Sequence, residues 1–599
     1  MRKMSALLSL LVLASMVLAA CGGAAPTEAP AQPEQPAATE APATEAPVAT
    51  EAPATEEKPA VLRVNTGTYP DVIDPQKSSF VNEIAHMNKF YMGLTTLNEK
   101  LETVPGAAES WSFSDDATEL VFTLKPGMVY SDGSVLNALR FAFAFQRNID
   151  PATAGQYASI TDEILGAPEW RAADTAAADY DPEVFKAALG IKASHADGSD
   201  CVDYEDTACD TLTLTFSKPA PYFATIAGIW VGYPAKEENI AEGGDIWWTS
   251  SKYQIGNGPF IWQSVEPFVK SVFVPNPNFV GTIPTYTLEF SYITDSAVAF
   301  EAYKNNEFDV IGSAAEDLPV IEADADLTAQ HVTYAGSCTT KIQYSLFPTW
   351  NDQPNPFTDI KVREAFALAY DAEGWARDVD GGLGSPTWTW IPPGYPGYDE
   401  ASPLKFDPEG AKAALAAASE PFNSAEKLNA MGLKMTYAAS ARNQQRHEWL
   451  AANYKAILGV DLALDPVEPT TFTALQKDPN TYPLLSRGGW CADYPDPQNW
   501  LSVYWRTGTF SDRWGYSNAE FDALVDEADT STDTAKRAEL YAQAQQLLLA
   551  DIPAAFGYNS LNHYLVKPWV QGYLTTPQDG TYPGDITPWT ITIDTSMIP

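Results

Sequence analysis

Between Ser486 and Trp500 the chain reads SRGGWCADYPDPQNW. A guanidinium at 487 and a carboxylate at 493 are the matched partners of a molecule carrying both a negative and a positive group. Cys491, between them, can tether the segment through a disulfide. Trp490 offers a flat apolar face, either to a ligand or to the core. Asp496 precedes Pro497 in DYPDP, a turn-forming context, so it is assigned to the turn. Each grip has a structural alternative: Asp493 can pair with a lysine of the protein, and Arg487 can form an internal ion pair. Acid catalysis is a weak reading, because 78 Asp and Glu residues place carboxylates near one another by chance. The chain has no GxSxG elbow, no zincin helix and no Cys/His pair in a catalytic context, which argues against a secreted hydrolase.

Metal chemistry is equally poorly supported. The five histidines (His86, His195, His331, His447, His563) are scattered, and His447-Glu448 lacks a second histidine at zincin spacing, so it reads as a surface helix. No CxxC occurs, and no cofactor motif either; no metal and no cofactor are expected. Apart from Cys21, four cysteines remain: Cys201, Cys209, Cys338 and Cys491. Outside the cytosol they imply two disulfides, with three possible connectivities. A Cys201–Cys209 bridge would staple the acidic insertion 193–210, constraining the unfolded chain by about 2.6 kcal/mol. That insertion lacks the ligand order of a calcium loop.

The compartment is legible at the N-terminus. MRKMSALLSLLVLASMVLAAC has a basic start, an apolar run too short to span a bilayer with ordinary flanks, and small residues before Cys21. It resembles a bacterial lipoprotein signal, with Cys21 as the lipid-bearing residue after cleavage. Residues 22–60 repeat TEAP and carry seven glutamates and one lysine. Such a segment cannot bury enough apolar surface to offset its chain entropy and reads as a disordered spacer. It would reach roughly 120 Å as polyproline and about 35 Å as a coil. No second apolar run approaches membrane-spanning length. The net charge of -42 and pI near 4.3 repel phosphate backbones and exclude nucleic acid as a partner.

Positioning the 486–500 segment requires a large scaffold, and 599 residues are ample for several lobes. VLRVNTG (61–67), VFTLK (121–125), LTLTF (212–216), FIWQSV (260–265) and VKSVFVPN (269–276) read as strands. Residues 136–149 carry helical apolar spacing, with Leu139 and Arg140 assigned to an exposed face. Asp359 caps a helix over TDIKVREAFALAYD, and Asp407 with Pro408 opens another. Helices are also expected over 519–528 and 534–551. The result is a mixed α/β chain without a repeat.

The strings VFTLKPGMVYSDGSVLNALRFAFAFQRNIDP, IDPQKSS, NPNFVGTIPTYTLEFSYITDSAVAFEAYKNNEFDVIG and FTDIKVREAFALAYD are similar to signatures of the extracytoplasmic solute-binding proteins of the peptide/nickel type. The likeness runs in order from about 61 to 570, with Arg140 replacing an acidic residue usual in the family. The resemblance implies a two-lobed α/β fold of the large type II periplasmic-binding-protein class, with a hinge and a third domain. It assigns 61–91, 231–332 and 561–599 to lobe I, 92–230 to domain II and 333–560 to lobe III. Within the family the chain looks most like the oligopeptide receptors of ABC importers. There, Asp493 would pair with the ligand's α-amino group, Arg487 would hold a short peptide's carboxylate, and Cys491 would bridge to Cys338. Val81 and Tyr157 would line the ligand. Such a receptor is expected to be a monomer that meets permease subunits, is not an enzyme, and touches the membrane through its lipid alone. The tryptophan-rich SPTWTWIPPGYPGY (385–398) motivates the alternative of an oligosaccharide ligand in the same fold.

Overall fold

The computed structural model describes residues 59–599. The stretch expected to be a signal, with Cys21, and the expected spacer as far as residue 58 lie outside the described residues. The spacer's last residue already belongs to the fold: Ala60 packs on the core and its carbonyl accepts from Thr287 N at 3.0 Å.

An eleven-stranded sheet organises the described residues. Across it lie Ala463–Val467, Lys434–Ala438, Leu485–Cys491, His331–Tyr344, Ala554–Val566, Val310–Gly312, Val61–Asn65, Thr287–Ser291, Lys270–Pro275 and Phe260–Glu266, with Gly384–Pro386 added on Ala554–Val566. Val61–Asn65 illustrates why: Leu62 and Val64 point into the core while Val61 and Arg63 stay half-buried, the period-two pattern of a strand with one face covered. Arg63 is then held by Asp309, buried at the next strand's start. A second, antiparallel sheet of four strands runs Ala108–Phe113, Glu119–Leu124, Thr211–Thr215, Ile191–Ser194.

Two strands are long enough to serve both lobes. His331–Tyr344 and Ala554–Val566 pair antiparallel, but the register breaks between Ala335/Leu561 and Thr339/Asn559, leaving three residues of one strand against one of the other. Such an irregularity bends a strand pair and increases its twist. On one side lies the apolar cluster of Leu62, Phe90, Phe273 and Phe290; on the other lie clusters around Phe366 and Tyr454 and around Trp390 and Trp505.

The helices with strong local signals form where expected. Asp359 accepts from Lys361 N to open Ile360–Leu368, and Asp407 accepts from Gly410 N to open Pro408–Ala416. Ala519–Thr530 and Thr534–Asp551 follow. Two assignments are corrected. Arg140, in Ala138–Ile149, is buried rather than exposed: its guanidinium grips Glu238 and stacks 3.7 Å from the Tyr204 ring. Tyr204 belongs to the stapled insertion, whose bridge is Cys201–Cys209, so the insertion covers the helix face that looked free. His447 is also inside: its helix, Ala441–Leu458, turns it onto the Tyr437 ring, stacked at 4.0 Å.

Candidate functional site

The tether is present. Cys338 and Cys491 face each other across the pair His331–Tyr344 and Leu485–Cys491 and form a disulfide. It fixes the end of Leu485–Cys491 two residues before Asp493. The outer edge of this strand pairs with Lys434–Ala438 at Leu485 alone, opposite Met435. From Arg487 to Cys491 the edge is therefore open, and Gly488 has nothing within 4 Å of where a Cβ would stand.

A cleft of about 340 Å³ adjoins this edge. One wall is Gly489–Asp493 with Ser337, which the register break carries into the cleft. The facing wall is Ser79–Val81 with Ala85, Tyr157 and Trp230; Gln578, Asp579 and Gly580 close the end. Val81, half exposed, begins the helix Val81–Phe90. Its approach is fixed by the buried Glu83, whose carboxylate accepts from the backbone of Val72, Ser79 and Phe80 at 3.0, 3.0 and 3.2 Å. A narrower cavity of about 100 Å³, lined largely by apolar and aromatic groups, shares Ile84, Asn88, Trp230, Asp493 and Gln578 with the cleft.

Asp493 stands where the two cavities meet. Its carboxylate accepts from Tyr157 Oη at 3.1 Å and from Asn499 Nδ2 at 2.9 Å, while its own N–H donates to Asn499 Oδ1 at 3.1 Å. No lysine or arginine pairs with it among the described residues. Burial pushes its carboxyl up to about 6, against the Asn499 and Tyr157 hydrogen bonds that favour the ionised form. The cleft lining contains Asp493 and Asp579 and no lysine or arginine. An ammonium entering here would meet oriented acceptors and no competing cation.

The other expected residues divide. Tyr157 joins Asp493 directly. Trp490 serves both readings: it lines the cleft, packs on Tyr504 and Phe510, and donates to Asn499 Oδ1 at 3.0 Å. Arg487 lies outside this cleft, donating to Tyr558 Oη with its guanidinium near the Trp375 ring, and has no carboxylate ion pair among the described residues. Asp496 caps the turn Pro497–Trp500 as expected and also pairs with Arg537 at 2.9 Å. Trp390, last residue of the TWTW run, is fully buried against Trp500 and Trp505, so it presents no face to the cleft.

Sequence reasoning missed Asn499, the hub linking Trp490 and Asp493, because an asparagine after Asp-Pro reads as turn chemistry. It also missed the loop from Thr576 to Asp585. There Asp579 accepts from Thr576 N and Gly584 N, Asp585 accepts from Gly580 N and Thr581 N, and buried Lys89 donates to the Asp585 carbonyl at 2.6 Å. Gly580 presses on Val81: a Cβ there would meet Val81 Cγ1 at 3.0 Å.

These features, two lobes joined by crossing strands around a cleft, are those of a solute receptor. The chain belongs to the bacterial extracellular solute-binding proteins, family 5, whose model matches residues 102–512. These are binding proteins of importers, not enzymes. It is similar to the probable deoxycholate-binding periplasmic protein YgiS of Escherichia coli, 26% identical over 529 residues, covering 87% of this chain and 92% of that one. It is equally similar to the periplasmic murein peptide-binding protein MppA of Escherichia coli, at 26% over 523 residues, covering 86% and 90%. The unliganded open form of MppA shares the fold, with a TM-score of 0.71 at 24% identity over 90% of this chain and 98% of that one.

Proposed function

We infer that the chain is the extracytoplasmic receptor of an ABC importer and captures oligopeptides between its lobes. The observation that carries this reading is the open strand edge Arg487–Cys491, ending beside an acid with no cationic partner. A receptor for varied peptides must grip what peptides share: a ladder of N–H and C=O groups and charged ends. An extended peptide laid along this edge adds a strand, with Gly488 leaving room for close approach, and brings its ammonium to Asp493. Trp490, Tyr157, Val81 and the bridged Cys491 form the walls. Arg487 lies six residues from Asp493, roughly 20 Å at strand rise, and takes the carboxylate of peptides whose length fits that span. None of Trp388, Trp390, Tyr395 and Tyr398 lines the cleft or the adjoining cavity, which favours the peptide over the oligosaccharide alternative.

The lobe assignment above is supported by the separate four-stranded sheet within 92–230 and by the register break close to the 332/333 and 560/561 boundaries. Closure about that break would dry the cleft and strengthen the pairing, giving the permease a closed state to read. Lipidation at Cys21 and a monomeric state complete the proposal. Calorimetry with a pentapeptide and its N-acetylated form tests it. Acetylation removes one partner of a desolvated charge pair, so affinity falls about 30-fold or more. Equal affinity for the two forms sinks the amine-clamp reading.

A further inference from the structure

His331 and His563 face each other across the crossing strands, away from the cleft. His331 Nε2 lies 3.3 Å from His563 Nδ1, and the rings stack with centroids 5.3 Å apart. In the ladder His331 is opposite Leu565 and His563 is opposite Thr333, so both imidazoles leave the same face as diagonal neighbours. The backbone pairing itself sets their approach. Thr333 Oγ1 stands 3.3 Å from His563 Nδ1 on that face.

Zinc–imidazole bonds of about 2.0–2.1 Å at a tetrahedral angle separate two ligating nitrogens by about 3.3–3.4 Å. The facing nitrogens already have that bite. A neutral imidazole offers one lone pair, so the cation would take the place of the contact the two facing nitrogens now make with each other. His563 Nε2 is enclosed and has no hydrogen-bond partner among the described residues. The charge of Glu322 acts on His331 and favours a cation there.

We propose that His331 and His563 form a two-imidazole site for a divalent transition-metal ion of the zinc or copper class, with water completing the shell, clipping one crossing strand to the other. Neither residue lines the cleft or the adjoining cavity, so this site is separate from the solute site. The other histidine cluster, His195 with Cys201 and Asp206, has its ligand atoms within 4.8 Å of one another, but Cys201 is committed to its disulfide. His195 therefore serves as a control.

Titration of untagged protein with Cu²⁺, followed by electron paramagnetic resonance, tests the site. The expected result is one tightly held equivalent whose hyperfine pattern reports two imidazole nitrogens. His331→Ala and His563→Ala each lose the two-nitrogen pattern, while His195→Ala retains it. A wild-type spectrum with oxygen ligands only, or a single nitrogen, overturns the proposal irrespective of how the variants fold. So does survival of the same equivalent in the double variant.

Discussion

Acidification from pH 7 to pH 5 is expected to weaken peptide capture about tenfold, and the number follows from Asp493. With its carboxyl pushed to about 6 by burial, the ionised fraction is about 0.9 at pH 7 and about 0.09 at pH 5. An ammonium pairs with the ionised form, and apparent affinity falls with the competent fraction. Above about pH 8 the ligand's own amine loses its proton, so the profile is bell-shaped. Stability of the empty protein moves the opposite way. Asp493 titrates above its ordinary 3.8, so its contribution to stability is fully present below that value and is lost as pH rises through about 6. Calorimetry with one pentapeptide between pH 5 and pH 9, on wild type and Asp493→Asn, reads the effect. The variant should bind weakly and lack most of the acid limb. Asp579, raised by burial and by the charge of Asp585, faces the same cleft, and any limb left in the variant measures its share. A wild-type affinity constant from pH 5 to pH 7 would refute the reasoning.

Tyr157→Phe removes a hydroxyl that donates to a carboxylate; the expected loss is about 1.5–3 kcal/mol in peptide binding, with the acid limb shifted to higher pH, read by the same calorimetry. Replacing Cys338 and Cys491 by serine opens a loop of 153 residues and should lower stability by up to about 5 kcal/mol in denaturant titration, with peptide affinity falling as the Asp493 segment loosens. Unchanged affinity would show that the tether does not position the acid. Arg140→Ala should cost about 2 kcal/mol and speed hydrogen exchange in residues 201–209, because Tyr204 loses the cation it stacks on. Arg487→Ala should weaken peptides of fitting length and spare their C-terminal amides, in a length series measured by fluorescence.

Local signals accounted for much of the scaffold. Asp359 and Asp407 declare their helices because a cap is a contact within three residues, and Val61–Asn65 declares its strand because alternation needs one covered face. Arg140 misled because fourteen residues of helical periodicity cannot reveal a loop sixty residues later that covers the polar side. At the site, family likeness led to Asp493, Tyr157 and Cys338; the coordinates set Asp493 and Tyr157 in one cleft and bridge Cys338 to Cys491 in its wall. Asn499 and the Thr576–Asp585 loop stayed hidden for another reason. Their residue types are those of turns, and only the tertiary arrangement turns a turn former into a brace.

The bare margin from Arg487 to Cys491 has a cost that its surroundings offset. An unpaired strand border guarded by glycines invites adhesion to any extended chain. Only its end, Gly489 to Cys491, lies in the cleft opposite Val81 and Tyr157, where a short free segment would fit more readily than the border of a folded neighbour. Discrimination against whole proteins would then be a matter of depth, accomplished before any charge is read.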